Sequence, residues 1–485
     1  MKEKKILSAL AGLSIYELNS FGKFIHSPYF NVNKGISDYF DILEKNIKNN
    51  SLQDLSNESL WKYVYHNEPY NNQKFLKLNS DLISLLEDFI AQQEYESMTS
   101  LRACHKLAGA GKRNMTKLYN GILGDIGRIN KYEINQSAEF YLNKYQIEKN
   151  IFSLKTENEK KNEKFEIDTE LNIQQISSNL DFFYIAEKLK HYCTLMSWKK
   201  MYKLDIEMAN MENVIALSNV EPFKSVPAVQ LFYTIYLTYI DDENPENYFK
   251  LKSLMKKYIH VFPKEEQRDI FSTAISYCVN KVNKNISEFH TETFEIYKEA
   301  LSRDVLLNDK LLPVTDFRNI VPAALRVKEF EWTENFIYEY SQLLDSKYKD
   351  NAVEFSLARL EFYRKNFGMV LDHLNRVNYE DVWYNLNAKT LQLAAYYELD
   401  EFDVLESFLQ SYKMYIRREK SLSPARKVHY LNLVRFTAAL MKINTKDQNK
   451  VIKLKEDIKD AKGVVSKPWL REKVDEMIRD KTHRG

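Results

Sequence analysis

Hydrophobic residues recur along most of this 485-residue chain at steps of three and four positions. Ile36, Phe40, Leu43 and Ile47 form one such series, and a second series runs over residues 75–89. These steps place side chains on one face of an α-helix. Sustained alternation of hydrophobic and polar residues, the mark of a half-buried strand, does not occur. The pattern therefore predicts an all-α fold.

The chain begins with lysines and an apolar run, Ile6–Leu13, which is similar to a secretory signal. This run has only eight residues and no cleavage site of the A-x-A type follows it. Ser14 and Glu17 then form a capping-box pattern, which predicts that a helix begins at the next residue after Ser14. We expect the run to belong to a helix of the mature protein.

Prolines mark several predicted helix starts. Pro245, Pro263 and Pro424 each stand near a first helical position, where the missing N–H costs nothing. Pro322 lies inside the helical pattern of residues 316–328, so that helix is expected either to start late or to kink.

A longer period marks the C-terminal half of the chain. Trp332, Phe367 and Phe402 stand 35 residues apart, and hydrophobic residues follow the last two at matching offsets. This pattern resembles the tetratricopeptide repeat, whose period is about 34 residues. The clear resemblance covers roughly residues 315–445, and fainter spacing extends further towards the N-terminus. It implies a right-handed α-solenoid, an array of antiparallel helix pairs.

The repeat departs from the family pattern early in the second helix of each pair. The small residue usual there is replaced by Val370 and Leu405. The departure implies that these repeat helices splay apart more than those of the family.

A second resemblance lies at Leu13–Asn31, with the sequence LSIYELNSFGKFIHSPYFN. This stretch resembles the opening of a family of uncharacterised helical proteins from the Bacteroidota, and Asn387–Leu440 is similar to their C-terminal part. The resemblance implies a long helical-repeat protein of the bacterial cytoplasm and carries no activity to transfer.

The chain is predicted to have four parts. The charged run at residues 156–164 is either a solvated continuation of a helix or a mobile loop, and we expect a module boundary near it. The predicted parts are an N-terminal helical region (1–135), a linker with the first helix pairs (136–220), the tetratricopeptide-like repeats (221–445) and a basic helical tail (446–485).

Composition sharpens the helical prediction. The chain has only 11 glycines and 10 prolines, and no glycine lies between residues 128 and 367. Strand-rich folds and phosphate loops need glycine, whereas helices joined by short Asn, Asp or Ser turns do not. The net charge is +2, so no global attraction to nucleic acid follows. Three scattered cysteines favour a reducing, cytoplasmic setting over a disulfide framework.

No catalytic or cofactor motif emerges from the sequence. The nine histidines are never closer than 31 positions, so no local metal-ligand motif exists. The segment Ala108–Asn114 is similar to a phosphate loop, but Lys112 is followed by arginine and no strand precedes it, so a helix–helix connection is predicted. Gly121, Gly124 and Gly127 are predicted to lie in a helix. We therefore predict a protein without enzymatic activity and assign no metal or cofactor.

Basic residues gather in two regions. In the first region, Arg417, Arg418 and Lys420 are expected to finish a helix, where cations favour the negative end of its dipole. The alternative is nucleic-acid binding, for which the interleaved Tyr412 and Tyr415 are suited. The tail beyond Lys442 is also basic, and its stretch Lys467–Met477 is predicted to pack back as a capping helix. The candidate partner-contacting residues of the first region are Lys413, Arg417, Arg418, Lys420, Arg426 and Lys427.

These features predict a scaffold or adaptor that binds a macromolecular partner, a protein, on a helical-repeat surface. The alternative is a factor of a nucleic-acid machine, such as the ribosome or RNA polymerase, that binds through Arg417 and Arg418. No membrane insertion is expected, because the most apolar stretch, Val226–Ile240, is too short to cross a bilayer.

Overall fold

The computed structural model describes residues 2–49, 56–66, 68–132, 136–162, 172–202, 204–378, 382–443 and 447–482. Within these ranges the chain forms twenty-three α-helices and no β-strand, so the prediction of an all-α fold is confirmed. No helix in the described part is long and apolar enough to cross a membrane.

Packing divides the chain into two compact units, residues 1–232 and 233–485. The four predicted parts of the chain stay predictions. The helices up to the boundary are α1 (Lys2–Ala11), α2 (Ile15–Ile25), α3 (Lys34–Lys48), α4 (Asn57–Tyr65), α5 (Asn72–Ser97), α6 (Thr99–Lys112), α7 (Thr116–Tyr132), α8 (Ala138–Asn162), α9 (Ile173–Tyr202), α10 (Met211–Ser218) and α11 (Pro227–Ile240), whose last residues belong to the second unit.

One hydrophobic core of the first unit lies among α1–α5, and a second lies among α6–α8. Ile6 and Leu10 of α1 are fully buried in the first of these cores, together with Phe40 and Phe75 from the two predicted hydrophobic series. The capping box at the start of α2 is present: the Glu17 backbone N–H donates to Ser14 Oγ at 3.2 Å, and the Ser14 backbone N–H donates to Glu17 Oε2 at 2.8 Å.

Two sequence predictions for the first unit need correction. Residues 108–112, predicted to connect helices, form the last turns of α6, and only residues 113–115 connect it to α7. The charged run continues α8 as far as Asn162, so the loop alternative is wrong for residues 156–162; residues 163 and 164 lie outside the described part. Gly121, Gly124 and Gly127 lie in α7, as predicted.

The second unit contains roughly residues 315–445, the stretch whose spacing resembles the tetratricopeptide repeat, whereas residues 221–232 of the predicted repeat region belong to the first unit. Consecutive helices pack together, and α17 also packs against α15 and α19 across the intervening helices. The helices of this unit are α12 (Pro245–Tyr258), α13 (Lys264–Asn283), α14 (Glu288–Ser302), α15 (Val314–Arg326), α16 (Phe330–Tyr340), α17 (Ser346–Tyr363), α18 (Phe367–Leu374), α19 (Val382–Glu398), α20 (Phe402–Arg418), α21 (Pro424–Lys442), α22 (Gln448–Asp460) and α23 (Lys467–Thr482).

Two of the three aromatic residues that mark the 35-residue period are first residues of helices, and the third is not. Phe367 and Phe402 are the first residues of α18 and α20. The corresponding first residue of α16 is Phe330, whereas Trp332 is the third. The sequence distance from Phe330 to Phe367 is therefore two residues longer than the 35-residue period. For this reason the segment around Trp332 matches the segments around Phe367 and Phe402 less well.

Each of these three helices is entered through the same turn. The residue two positions before its start, Lys328, Lys365 or Asp400, has a positive φ between 57° and 65°. In each turn the next backbone N–H donates to a carbonyl five residues earlier, as Asn366 does to Glu361 at 2.9 Å. This is the Schellman arrangement, in which the left-handed residue is usually glycine. The scarcity of glycine is thus accommodated by lysine and aspartate in this strained conformation.

The prolines behave largely as predicted. Pro245 and Pro424 lie in the first turn of α12 and α21, and Pro263 directly precedes α13. Pro322 lies inside α15, which begins at Val314, so the prediction of a late start is wrong.

The basic tail folds back, as predicted, through α22 and α23. Trp469 and Leu470 are buried in the core formed with α19–α21. Trp469 Nε1 donates to Glu398 Oε1 at 2.7 Å, and Lys473 Nζ lies 2.8 Å from Glu398 Oε2. Glu398 is the last residue of α19, so these contacts fix α23 against the end of that helix.

Candidate functional site

A cleft of about 400 Å³ lies between α20 and α21. One face of α20 packs into the core through Leu405 and Tyr412. The neighbouring face of the helix lines the cleft. Apolar side chains from both helices line it: Leu409, Leu431, Val434, Ala438 and Met441. We call this feature the α20–α21 cleft.

Four cations line the same cleft. Lys413 and Arg417 come from α20, and Arg435 and Lys442 come from α21. Lys442 is paired with Glu406 at 3.3 Å, the one acidic residue of the lining. Among the residues that the structure describes, no carboxylate lies within 4.0 Å of Lys413, Arg417 or Arg435. The cleft therefore combines apolar surface with an excess of positive charge.

The six predicted contact residues do not all line one cleft. Lys413 and Arg417 line the α20–α21 cleft, whereas Arg418 lines a separate hollow with Met414 and Tyr415. The other three, Lys420, Arg426 and Lys427, line neither.

The helix-dipole interpretation concerns Arg417, Arg418 and Lys420, and Arg417 and Arg418 do lie in the last turn of α20. Lys427 of α21 reaches the same helix end. Its Nζ donates to the backbone oxygen of Arg417 at 3.1 Å, at the C-terminal end of α20. A cation in this place satisfies a terminal carbonyl and favours the helix dipole. The side chain thus has a structural role that leaves less of it for a partner.

The tyrosines predicted to stack on bases differ from each other. Tyr412 is fully buried, and its hydroxyl donates to the backbone oxygen of Leu386 at 2.9 Å. The prediction that Tyr412 contributes to a nucleic-acid surface is therefore wrong, because its apolar period places it in the core. Tyr415 is partly exposed beside Arg418.

Sequence reasoning missed two cleft residues, Arg435 and Lys442. Both lie on α21 and are separated by seven positions, two turns of one helix face. The spacing of four between Lys413 and Arg417 carries the same signal on α20. Extending that helical spacing to the following helix would have found the pair.

Cysteine thiols and metal-ligating groups are the remaining candidates for chemistry in the described residues. Burial raises the pKa of the Cys104 thiol to about 11 and that of Cys278 to about 12, and it also raises the pKa of Cys193. All three thiols are unpaired and buried. No group of three or more His, Cys, Asp or Glu side chains in the described part is placed to hold a metal ion.

A comparison of the chain with protein-family models, with curated proteins and with solved structures found no match.

Proposed function

We propose that this chain is a non-enzymatic scaffold or adaptor that binds a protein partner on a tetratricopeptide-like array of helix pairs in the bacterial cytoplasm. The α20–α21 cleft carries the proposal, since its apolar lining and unpaired cations are complementary to a segment with acidic and hydrophobic side chains. Helical-repeat proteins commonly hold such segments on their surfaces.

Charge complementarity supports a protein segment over nucleic acid in this cleft. Lys413, Arg417 and Arg435 can pair with carboxylates or phosphates. Nucleic-acid binding to unpaired bases also needs aromatic platforms, and the lining of the α20–α21 cleft contains none. Its aliphatic lining suits hydrophobic side chains.

The test compares native chain with the variant Arg417→Glu/Arg435→Glu in affinity capture from the native lysate, followed by mass spectrometry. We expect one stoichiometric protein with the native chain and its loss with the variant. The control is Arg102→Glu/Arg113→Glu, which changes the net charge equally but lies in the first unit. Equal capture by native chain and cleft variant would overturn the proposal.

The alternative function, association with a nucleic-acid machine, is supported by Arg418 and Tyr415, which share one exposed hollow. If it holds, RNA or DNA binding falls steeply with salt and is abolished by Arg417→Glu/Arg418→Glu. Unchanged nucleic-acid binding in that variant, or none in the native chain, would refute it.

A further inference from the structure

Three arginines of the second unit lie near one another, and none of them has an acidic partner among the residues that the structure describes. Arg318 and Arg326 belong to α15, and Arg359 belongs to α17. In the described part of the chain, no carboxylate approaches any of them within 4.0 Å. We call these residues the arginine cluster.

Aromatic rings hold two of these guanidinium groups in place. The Arg318 guanidinium carbon lies 4.4 Å from the centre of the Trp383 ring and 5.3 Å from that of Tyr384. The Arg359 guanidinium lies 4.8 Å from the Phe355 ring and 5.9 Å from the Trp383 ring. Because Trp383 is near both, the two guanidinium groups lie within about one Debye length, about 10 Å, of each other.

The environment of Arg359 disfavours its charge. Burial, together with the nearby charges of Arg326 and Arg318, lowers the pKa of Arg359 to about 10. The Arg359 side chain remains protonated at neutral pH and is repelled by the charges of Arg318 and Arg326. The cation–π contacts offset this repulsion only in part. An anion bound between the guanidinium groups would remove this repulsion.

The site is open to a ligand from solvent. Trp383 is 37% exposed and Arg326 is exposed, while Arg318 and Arg359 are partly buried. The Nε of Arg318 also donates to the backbone oxygen of Val314 at 3.3 Å, which fixes the orientation of its guanidinium group. Partly buried arginines with fixed orientation are suited to bidentate binding of a carboxylate.

We propose that Arg318, Arg359 and Trp383 form a binding site for the carboxylates of an acidic peptide segment. The inference rests on the proposed function and names the group that the partner would present. A carboxylate is favoured over a nucleobase because the guanidinium of Arg318 already lies over the Trp383 ring, so that face of the ring is not free for stacking.

The test is fluorescence anisotropy with labelled decaglutamate, run beside labelled decathymidylate. We expect the native chain to bind decaglutamate and Arg318→Gln/Arg359→Gln to weaken this binding about tenfold or more, because charge-assisted contacts are lost. The control Arg102→Gln/Arg113→Gln removes the same charge from the first unit and is expected to change the affinity less than about twofold.

Three results would overturn the proposal: no binding of decaglutamate by the native chain, equal weakening by the control, or tighter binding of decathymidylate that depends on the same arginines. If Arg318→Gln/Arg359→Gln fails to fold, the affinity of Arg318→Lys/Arg359→Lys for decaglutamate tests the proposal instead. The lysine variant keeps the charge but loses the planar fork, so we expect weaker binding, and unchanged affinity would contradict the proposal.

One further variant tests whether nearby acidic residues in the sequence contribute to the binding of decaglutamate. Glu380→Gln/Asp381→Asn removes the acidic residues two and three positions before Trp383 in the sequence. This variant is expected to bind decaglutamate at least as tightly as the native chain, and weaker binding would count against the site. If decaglutamate binding depends on the arginine cluster while no partner depends on the α20–α21 cleft, the proposed function fails and this site stands. If a partner depends on the α20–α21 cleft while decaglutamate binding does not depend on the arginine cluster, this site fails and the proposed function stands.

Discussion

The left-handed lysine between α17 and α18 offers a direct test of how this chain folds with so little glycine. Lys365 has a φ of 65°, and its backbone N–H donates to the Phe362 carbonyl at 3.1 Å. Its side chain is exposed and makes no hydrogen bond or ion pair with the described residues that a substitution would lose. Replacing Lys365 with glycine therefore changes mainly the backbone preference.

The expected gain follows from two opposing terms. A side chain in the left-handed region costs roughly 1–2 kcal/mol, which glycine does not incur. Glycine loses about 0.5–1 kcal/mol more conformational entropy on folding. Lys365→Gly is therefore expected to raise the free energy of unfolding by about 0.5–1 kcal/mol.

Urea unfolding followed by circular dichroism measures the effect, with Lys250→Gly as the matched control. Lys250 is exposed in the middle of α12, where the same substitution is expected to cost about 1 kcal/mol. We expect the free energy of unfolding to rise with Lys365→Gly and to fall with Lys250→Gly. A Lys365→Gly variant as unstable as the control would refute the assignment of strain to this turn.

Three further predictions concern the C-terminal helices and the thiols. Glu398→Ala removes the acceptor of both Trp469 and Lys473 and is expected to cost about 2–4 kcal/mol, seen as faster hydrogen exchange in α23; unchanged exchange would contradict it. Gly463→Ala is expected to cost about 2 kcal/mol or more in thermal unfolding, since φ is 72° there and an added Cβ would overlap the His429 ring. The three buried cysteines are expected to react with Ellman's reagent only after denaturation, whereas fast reaction of the native chain would show an exposed thiol.

Periodicity and capping predicted several of the helices because both are local. The series through Ile36 and Phe40 became a buried helix face, and the Ser14–Glu17 box marked a helix start. The shift from Trp332 to Phe330 escaped prediction because an aromatic period does not say which residue of a turn adopts positive φ.

The candidate sites were less accessible to sequence reasoning. Lys413 and Arg417 share a helix face, which spacing reveals. Tyr412 belonged both to an apolar helical series and to the nucleic-acid alternative, and its burial shows that it is a core residue. Arg318, Arg359 and Trp383 come from three helices. Only the packing of α17 against α15 and α19 brings them together, and no local pattern encodes that arrangement.

Site-specific photocrosslinking tests the central claim, that the α20–α21 cleft holds an acidic segment of a protein partner. A photoreactive residue at Gln410, in the cleft lining, is compared in cells with one at Lys256, exposed on α12. We expect one dominant protein adduct from Gln410, joined through an acidic and hydrophobic peptide and lost with Arg417→Glu/Arg435→Glu. Cross-links from Gln410 to RNA, or the same adducts from both positions, would contradict it.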